Sequence, residues 1–142
     1  MVSACRSSGA IPQNDQNIYI VDTFGEMGSL FAAADVVFMG GALKPLGGHN
    51  PVEPASAGKP VISGPHTFKN KAEFDMLATR GLLRTVTDAD SLAKAAIDSL
   101  GDAAERDRLA KAARKFAAEA GKRPELAARS IIEVITAIEK DR

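Results

Sequence analysis

One cysteine, Cys5, is too few for an internal disulfide framework, and its solitude fits a reducing compartment. Neither sign of charge is in surplus. Eighteen Lys and Arg meet eighteen Asp and Glu, so there is no global basic field to hold nucleic acid. Residues 1–65 carry 3 basic and 5 acidic groups and residues 66–142 carry 15 and 13, a split too small to name a partner. No apolar run reaches the ~18–20 residues that a membrane helix requires, and the first ten residues lack the apolar core of a signal peptide. Histidine is scarce: His49 and His66 have no Asp/Glu cluster beside them at ligand spacing, so no metal site and no cofactor is expected. Repeats and low-complexity segments are absent too. What is present is the balance of a soluble globular domain, 142 residues with 45% apolar and 25% charged, enough for one domain.

Residues 1–17 are polar and turn-rich (Ser7-Ser8-Gly9, Pro12-Gln13-Asn14-Asp15) and read as a loose lead-in. The folded part is expected over 18–142. Ile18-Tyr19-Ile20-Val21, Val36-Val37-Phe38-Met39, Pro60-Val61-Ile62-Ser63 and the more polar Leu82–Val86 have the short β-branched and aromatic texture of buried strands. Helical stretches separate them: one from Glu26 with Leu30, Phe31 and Ala34 on one side, one near 52–58, and one over 69–80 stopped by Gly81. Asp22 or Thr23 would cap the first. The alternation predicts parallel βαβ units, an α/β Rossmann-like sheet of four strands flanked by helices. A helical tail follows. Asp88 with Ser91 offers capping chemistry ahead of Leu92, Ala96 and Leu100; Leu109, Ala113, Phe116 and Ala120 share a face over 103–120; Pro124 opens a last helix striped by Ala127, Ile131, Val134, Ile135 and Ile138.

The most informative stretch runs from Gly40-Gly41 through Gly47-Gly48-His49-Asn50 to Glu53-Pro54. It follows the carboxyl end of a strand and opens a helix, the position at which open α/β sheets bind ligands. Glycine pairs let backbone N–H groups approach an anion, and the helix beyond supplies more donors. The spacing matches neither G-x-G-x-x-G nor G-x-x-x-x-G-K-[ST]. Two readings of Glu53 stand. It closes a capping box with Asn50, or the helix starts one residue later, because Pro54 has no N–H for the first helical bond to Asn50. The second reading leaves the carboxylate to accept from ligand hydroxyls, such as those of a ribose. His49, between glycine and asparagine, does not read as a packed core residue. His66 again follows a strand, either as a second ligand-side histidine or as a turn residue holding loop geometry. Two histidines at adjacent strand ends suit one anionic ligand. Cys5 has no base nearby and is assigned no chemistry.

Taken in order, Asp22-Thr23-x-Gly25-Glu26, Ala33-Ala34-Asp35-Val36-x-Phe38-x-Gly40-Gly41, Gly47-Gly48-His49-Asn50-Pro51-x-Glu53-Pro54-Ala55 and Gly58-x-Pro60-Val61-x-x-Gly64-Pro65-His66 resemble one family. It is the carboxyl-terminal, nucleotide-sugar domain of 3-deoxy-D-manno-octulosonic acid (Kdo) transferases, within the glycosyltransferase-B superfamily. The resemblance runs from about Ile18 to Val86. It implies a truncated carboxyl-terminal half of a glycosyltransferase-B fold, incomplete at its front and lacking the acceptor domain. The whole enzyme would be an inverting, metal-independent transferase moving Kdo from CMP-Kdo onto a lipid A precursor in lipopolysaccharide biosynthesis, at the cytoplasmic face of a Gram-negative inner membrane. Gly47, Gly48, His49 and Asn50 would surround the CMP phosphate, Glu53 would take ribose hydroxyls, and Gly40-Gly41 would let the donor pass. Glu26 and His66 would be cleft residues, and the general base would lie on the absent domain. After His66 the family's Asn-Phe pair is replaced by Phe68-Lys69-Asn70, so no sugar contact carries over to that loop. Two other readings compete: a UDP-sugar transferase or epimerase of the same superfamily, and a noncatalytic α/β interaction module. The missing acceptor domain and general base predict a soluble fragment that is inactive alone, and the unpaired strand edge left by missing leading strands predicts self-association, by edge pairing or by exchange of segment 1–17 or of the terminal helix, as a two-fold dimer.

Overall fold

A computed structural model describes residues 3–121. The stripe expected beyond Pro124 lies outside the described residues. In chain order the elements are β1 (Ser3–Cys5), a 3-10 turn (Arg6–Ser8), β2 (Ile18–Ile20), α1 (Met27–Ala33), β3 (Val37–Met39), α2 (Val52–Ser56), β4 (Val61–Ser63), a 3-10 turn (Phe68–Asn70), α3 (Lys71–Thr79), β5 (Leu83–Thr85), α4 (Ala89–Gly101) and α5 (Ala103–Gly121). The four expected strands form where the β-branched runs place them.

Two expectations are corrected. The lead-in is not wholly loose: Ser3–Cys5 is a strand, paired in parallel with β2. Nor do the strands form one sheet. β1 and β2 make a two-stranded sheet, and β3-β4-β5 make a separate three-stranded one, parallel throughout. β2 therefore does not neighbour β3, although it precedes it in sequence.

The central strand of the three-stranded sheet, β4, is buried on both faces, which is why it reads as a continuous apolar run. Val61, on one face of β4, packs in a cluster with Phe31, Val37, Leu77, Ala113 and Phe116. Ile62, on the other, packs with Val86 and Ala95. Each such large side chain removed from water contributes about 1.5–3 kcal/mol. α3 stops as expected at Gly81 in a left-handed conformation, with the Leu82 N–H returning to the Leu77 carbonyl.

The helix after Asp88, α4, keeps its expected cap. Asp88 and Ser91 exchange a reciprocal pair, Ser91 N–H to Asp88 Oδ1 at 2.8 Å and Asp88 N–H to Ser91 Oγ at 3.1 Å. The stripe on α4 is shifted, however. Ala95 is buried between half-buried Leu92 and Ala96, while Leu100 is 52% exposed. Eight residues overshoot two turns of helix by most of a residue, so the buried line follows 92, 95, 96 and 99 instead.

Candidate functional site

β3 runs straight into Gly40, and the glycine-rich loop folds back over the ends of β3 and β4. Its conformation is fixed from inside. The Gly48 N–H donates to the Gly41 carbonyl at 3.0 Å, and the His66 N–H to the Ala42 carbonyl at 3.0 Å. Gly47 has φ +99°, and a Cβ there would stand 2.5 Å from Cγ of Lys69, whose own N–H donates to the Gly47 carbonyl. Gly48 is buried against Phe74. Gly47 and Gly48 thus shape the loop, and the N–H of Gly48 is already committed.

His49 and Asn50 emerge from this lock exposed, and among the described residues nothing accepts from their N–H groups. The ring of His49 lies over Gly41, with its Cδ2 3.6 Å from where a Cβ would sit. Asn50 Oδ1 accepts from the Val52 N–H at 3.0 Å. The first helical bond is Ala55 N–H to the Pro51 carbonyl, and Pro51 is the N-cap. The helix therefore begins one residue later than a capping box needs, as the missing N–H of Pro54 requires. Glu53 sits in the first turn, exposed, and among the described residues its carboxylate has no hydrogen-bond or ion-pair partner.

Beside this loop, along β3, lies a cleft of about 470 Å³. Gly40, His49, Asn50 and Glu53 form its polar rim at the carboxyl end of the strand. Met27, Phe31, Val37, Phe38 and Met39 form its apolar floor. The rim brings together four residues expected from the sequence. The floor was not foreseen, although Phe38, facing opposite to Val37 and Met39 in a two-residue period, was the available signal.

Glu26 and His66 are not among the residues lining the cleft. Glu26 is held by Arg6, whose Nε donates at 3.0 Å and 3.2 Å to its two oxygens, with Nη2 at 2.8 Å, and by the Thr23 hydroxyl. These hydrogen bonds keep its carboxyl below the usual range. Asp22 accepts from the Ser7 N–H at 2.9 Å and from the Ser7 hydroxyl, which lowers its pKa as well. It is not the cap of α1 but a clasp on the turn after β1; α1 has Glu26 at its N-cap and no side-chain cap. His66 is exposed, and its backbone holds the loop. Among the described residues no three His, Cys, Asp or Glu side chains gather where they could hold a metal, and no helix is long and apolar enough to cross a membrane.

A parallel α/β sheet with a glycine-locked loop and an unpaired acid at one strand end has the form of a nucleotide-sugar-handling domain. Residues 13–116 match the family model of glycosyl transferases group 1, and the chain belongs to that family. Within it, the likeness is to 3-deoxy-D-manno-octulosonic acid transferases, as the motifs suggested. Identity is 37% over 91 residues with that of Haemophilus influenzae, covering 63% of this chain and 21% of the relative. It is 42% over 105 residues with that of Bordetella pertussis, covering 72% and 24%. The chain therefore spans about a quarter or less of the curated relatives it matches. Among solved structures, the C-terminal CMP-Kdo binding domain of WaaA from Acinetobacter baumannii superposes with a TM-score of 0.76 and 27% identity, covering 80% of this chain and 60% of that one.

Proposed function

We propose that this chain is the donor-binding portion of a Kdo transferase, holding the CMP end of CMP-Kdo at the polar rim of the cleft along β3. The observation that carries the reading is the convergence of Gly40, His49, Asn50 and an unpartnered Glu53 at one strand end. In this reading Glu53 accepts from the ribose hydroxyls. The N–H groups of His49 and Asn50, with the His49 ring, face the phosphate. That phosphate gains negative charge as the bond to the sugar breaks, and donors already in place stabilise the departing CMP without rearrangement. The bareness of Gly40 and Gly41 keeps side chains out of the donor's path. The whole enzyme is then an inverting, metal-independent transferase at the cytoplasmic face of the inner membrane. Its lipid A precursor acceptor and its general base belong to a part of the protein that these residues do not represent.

Thermal shift with CMP, UMP and UDP side by side tests the donor. CMP raises the melting temperature by mass action, by about 2.7 kcal/mol of stability at a hundred times Kd. Glu53→Ala weakens CMP binding by about 1–3 kcal/mol through the lost charged hydrogen bonds. An equal response to UMP or UDP makes the enzyme a UDP-sugar one, and no response to any nucleotide leaves an interaction module. Purified, the 142 residues transfer no Kdo, because the acceptor and the base are not positioned. Transfer by the pure chain contradicts the donor-portion reading.

A further inference from the structure

Past the end of β4 the chain turns back over the glycine-rich loop and is tied to it by two main-chain hydrogen bonds. The His66 N–H donates to the Ala42 carbonyl at 3.0 Å, and the Lys69 N–H to the Gly47 carbonyl at 3.3 Å. The side chain of Lys69 follows its amide and lies across Gly47. A Cβ on Gly47 would stand 2.5 Å from Cγ and 2.7 Å from Cδ of Lys69, and 2.9 Å from the ring of Phe68. Stem and ring together cover Gly47, which is buried although Phe68 and Lys69 are exposed.

An exposed lysine without an ion pair is ordinary; one with an anchored stem is not. Ordering the stem costs rotamer entropy, which a partner at the head offsets. Lys71, two residues on, has such a partner in Asp75 at 2.6 Å. Among the described residues the ammonium of Lys69 has none. Its place is also informative. Gly47 and His49 are two peptide steps apart, at most about 7.6 Å between Cα atoms. His49 carries the N–H and the ring assigned above to the donor's phosphate, and the ammonium stands two bonds beyond Cδ. A group next to that phosphate therefore falls within reach of Lys69. Lys69 does not line the cleft along β3, so what it meets is the part of the donor that projects past the rim, the sugar.

Kdo is a 2-keto sugar acid, so the carbon that joins it to the phosphate of CMP-Kdo also bears its carboxylate. Two anions on one carbon repel each other, and a site that holds both needs a cation beside its N–H donors. We propose that Lys69 binds the carboxylate of the donor's sugar, and is the residue by which this chain distinguishes an acidic sugar from a neutral one. The assignment rests on the donor reading. It gives Gly47 a second task, since any side chain there would displace the stem. Lys69 stands in the stretch where the family's Asn-Phe pair is replaced, so the contact is this chain's own.

Calorimetric titration of the 142-residue chain with CMP and with freshly made CMP-Kdo tests the assignment, on the parent and on Lys69→Met and Lys69→Arg. Both replacements keep a long stem over Gly47; only the first removes the charge. Lys69→Met weakens CMP-Kdo about tenfold or more and CMP less than about twofold, and Lys69→Arg restores most of the CMP-Kdo affinity. Equal weakening of the two ligands overturns the proposal and puts Lys69 on the phosphate. Unchanged affinity for both overturns it too. So does a Lys69→Arg variant as weak as Lys69→Met, which makes the stem rather than the charge the cause. The donor reading fails differently: a parent chain that binds neither ligand, before any substitution, removes that reading and this assignment together.

Discussion

An alanine at position 64 would place its Cβ 2.2 Å from the carbonyl carbon of Ala42, backbone against backbone, with no flexible side chain to yield. Position 28 is the opposite case. Gly28 lies in α1 with nothing within 4 Å of a built Cβ. Gly64→Ala therefore destabilises the fold by about 3 kcal/mol, through overpacking at a site that cannot relax. Gly28→Ala stabilises it by about 0.5–1 kcal/mol, by lowering the entropy of the unfolded chain. Urea unfolding of the two variants beside the parent checks both signs; a Gly64→Ala variant as stable as the parent would falsify the packing argument. The same scale shows what a sequence can and cannot say about a site. The later start of α2 was legible because Pro54 lacks an N–H, a property of one residue. That Gly48 spends its amide on Gly41, seven residues back, was not, because a glycine pair reads alike whether its donors face in or out.

Elements show the corresponding limit. β2, β3, β4 and β5 announce themselves by their own β-branched residues. Ser3-Ala4-Cys5 has none; it becomes a strand because Ile18–Ile20 offers it a ladder, so its structure is borrowed from a partner outside its own sequence window. Two clasps then tie the 3-10 turn after β1 to the turn after β2: Ser7 on Asp22, and Arg6 on Glu26. A third carboxylate, Asp88, caps α4 through Ser91. All three pKa values are lowered in the folded chain by these hydrogen bonds. The folded state thus binds fewer protons than the unfolded one in acid. The stabilisation is complete above the ordinary carboxylate range near pH 4 and is lost as pH falls through the lower folded values. Protection of the Ser7 and Ser91 amides, followed by hydrogen exchange from pH 6 to pH 2.5, is expected to hold to about pH 4 and then collapse. Collapse above pH 5 contradicts the assignment. Asp22→Ala frees Ser7 while leaving Ser91 protected, since the two carboxylates act on different elements.

At the scale of the molecule, the three-stranded sheet has two edges among the described residues, and they differ in what they can pair with. The edge of β3 borders the cleft whose rim is proposed to hold the nucleotide, and a second copy paired there would obstruct it. The outer edge of β5 has no such restriction. The Val86 N–H donates to the Ser63 carbonyl, so Arg84 and Val86 face β4, and Leu83 and Thr85 turn their N–H and C=O outward. Thr85 is exposed, and a row of unpaired main-chain groups is a template for another chain. Two copies meeting there about a two-fold axis form one continuous antiparallel junction, β3-β4-β5 against its symmetry mate, and the interface closes on itself. We therefore expect a dimer in sedimentation at micromolar concentration. Thr85→Pro tests the edge directly: the N–H it removes faces outward, so the sheet keeps its own ladder and only the junction is lost. The variant sediments as a folded monomer. A parent chain that is monomeric throughout the micromolar range, or a Thr85→Pro variant that still dimerises, places the sheet edges outside self-association altogether.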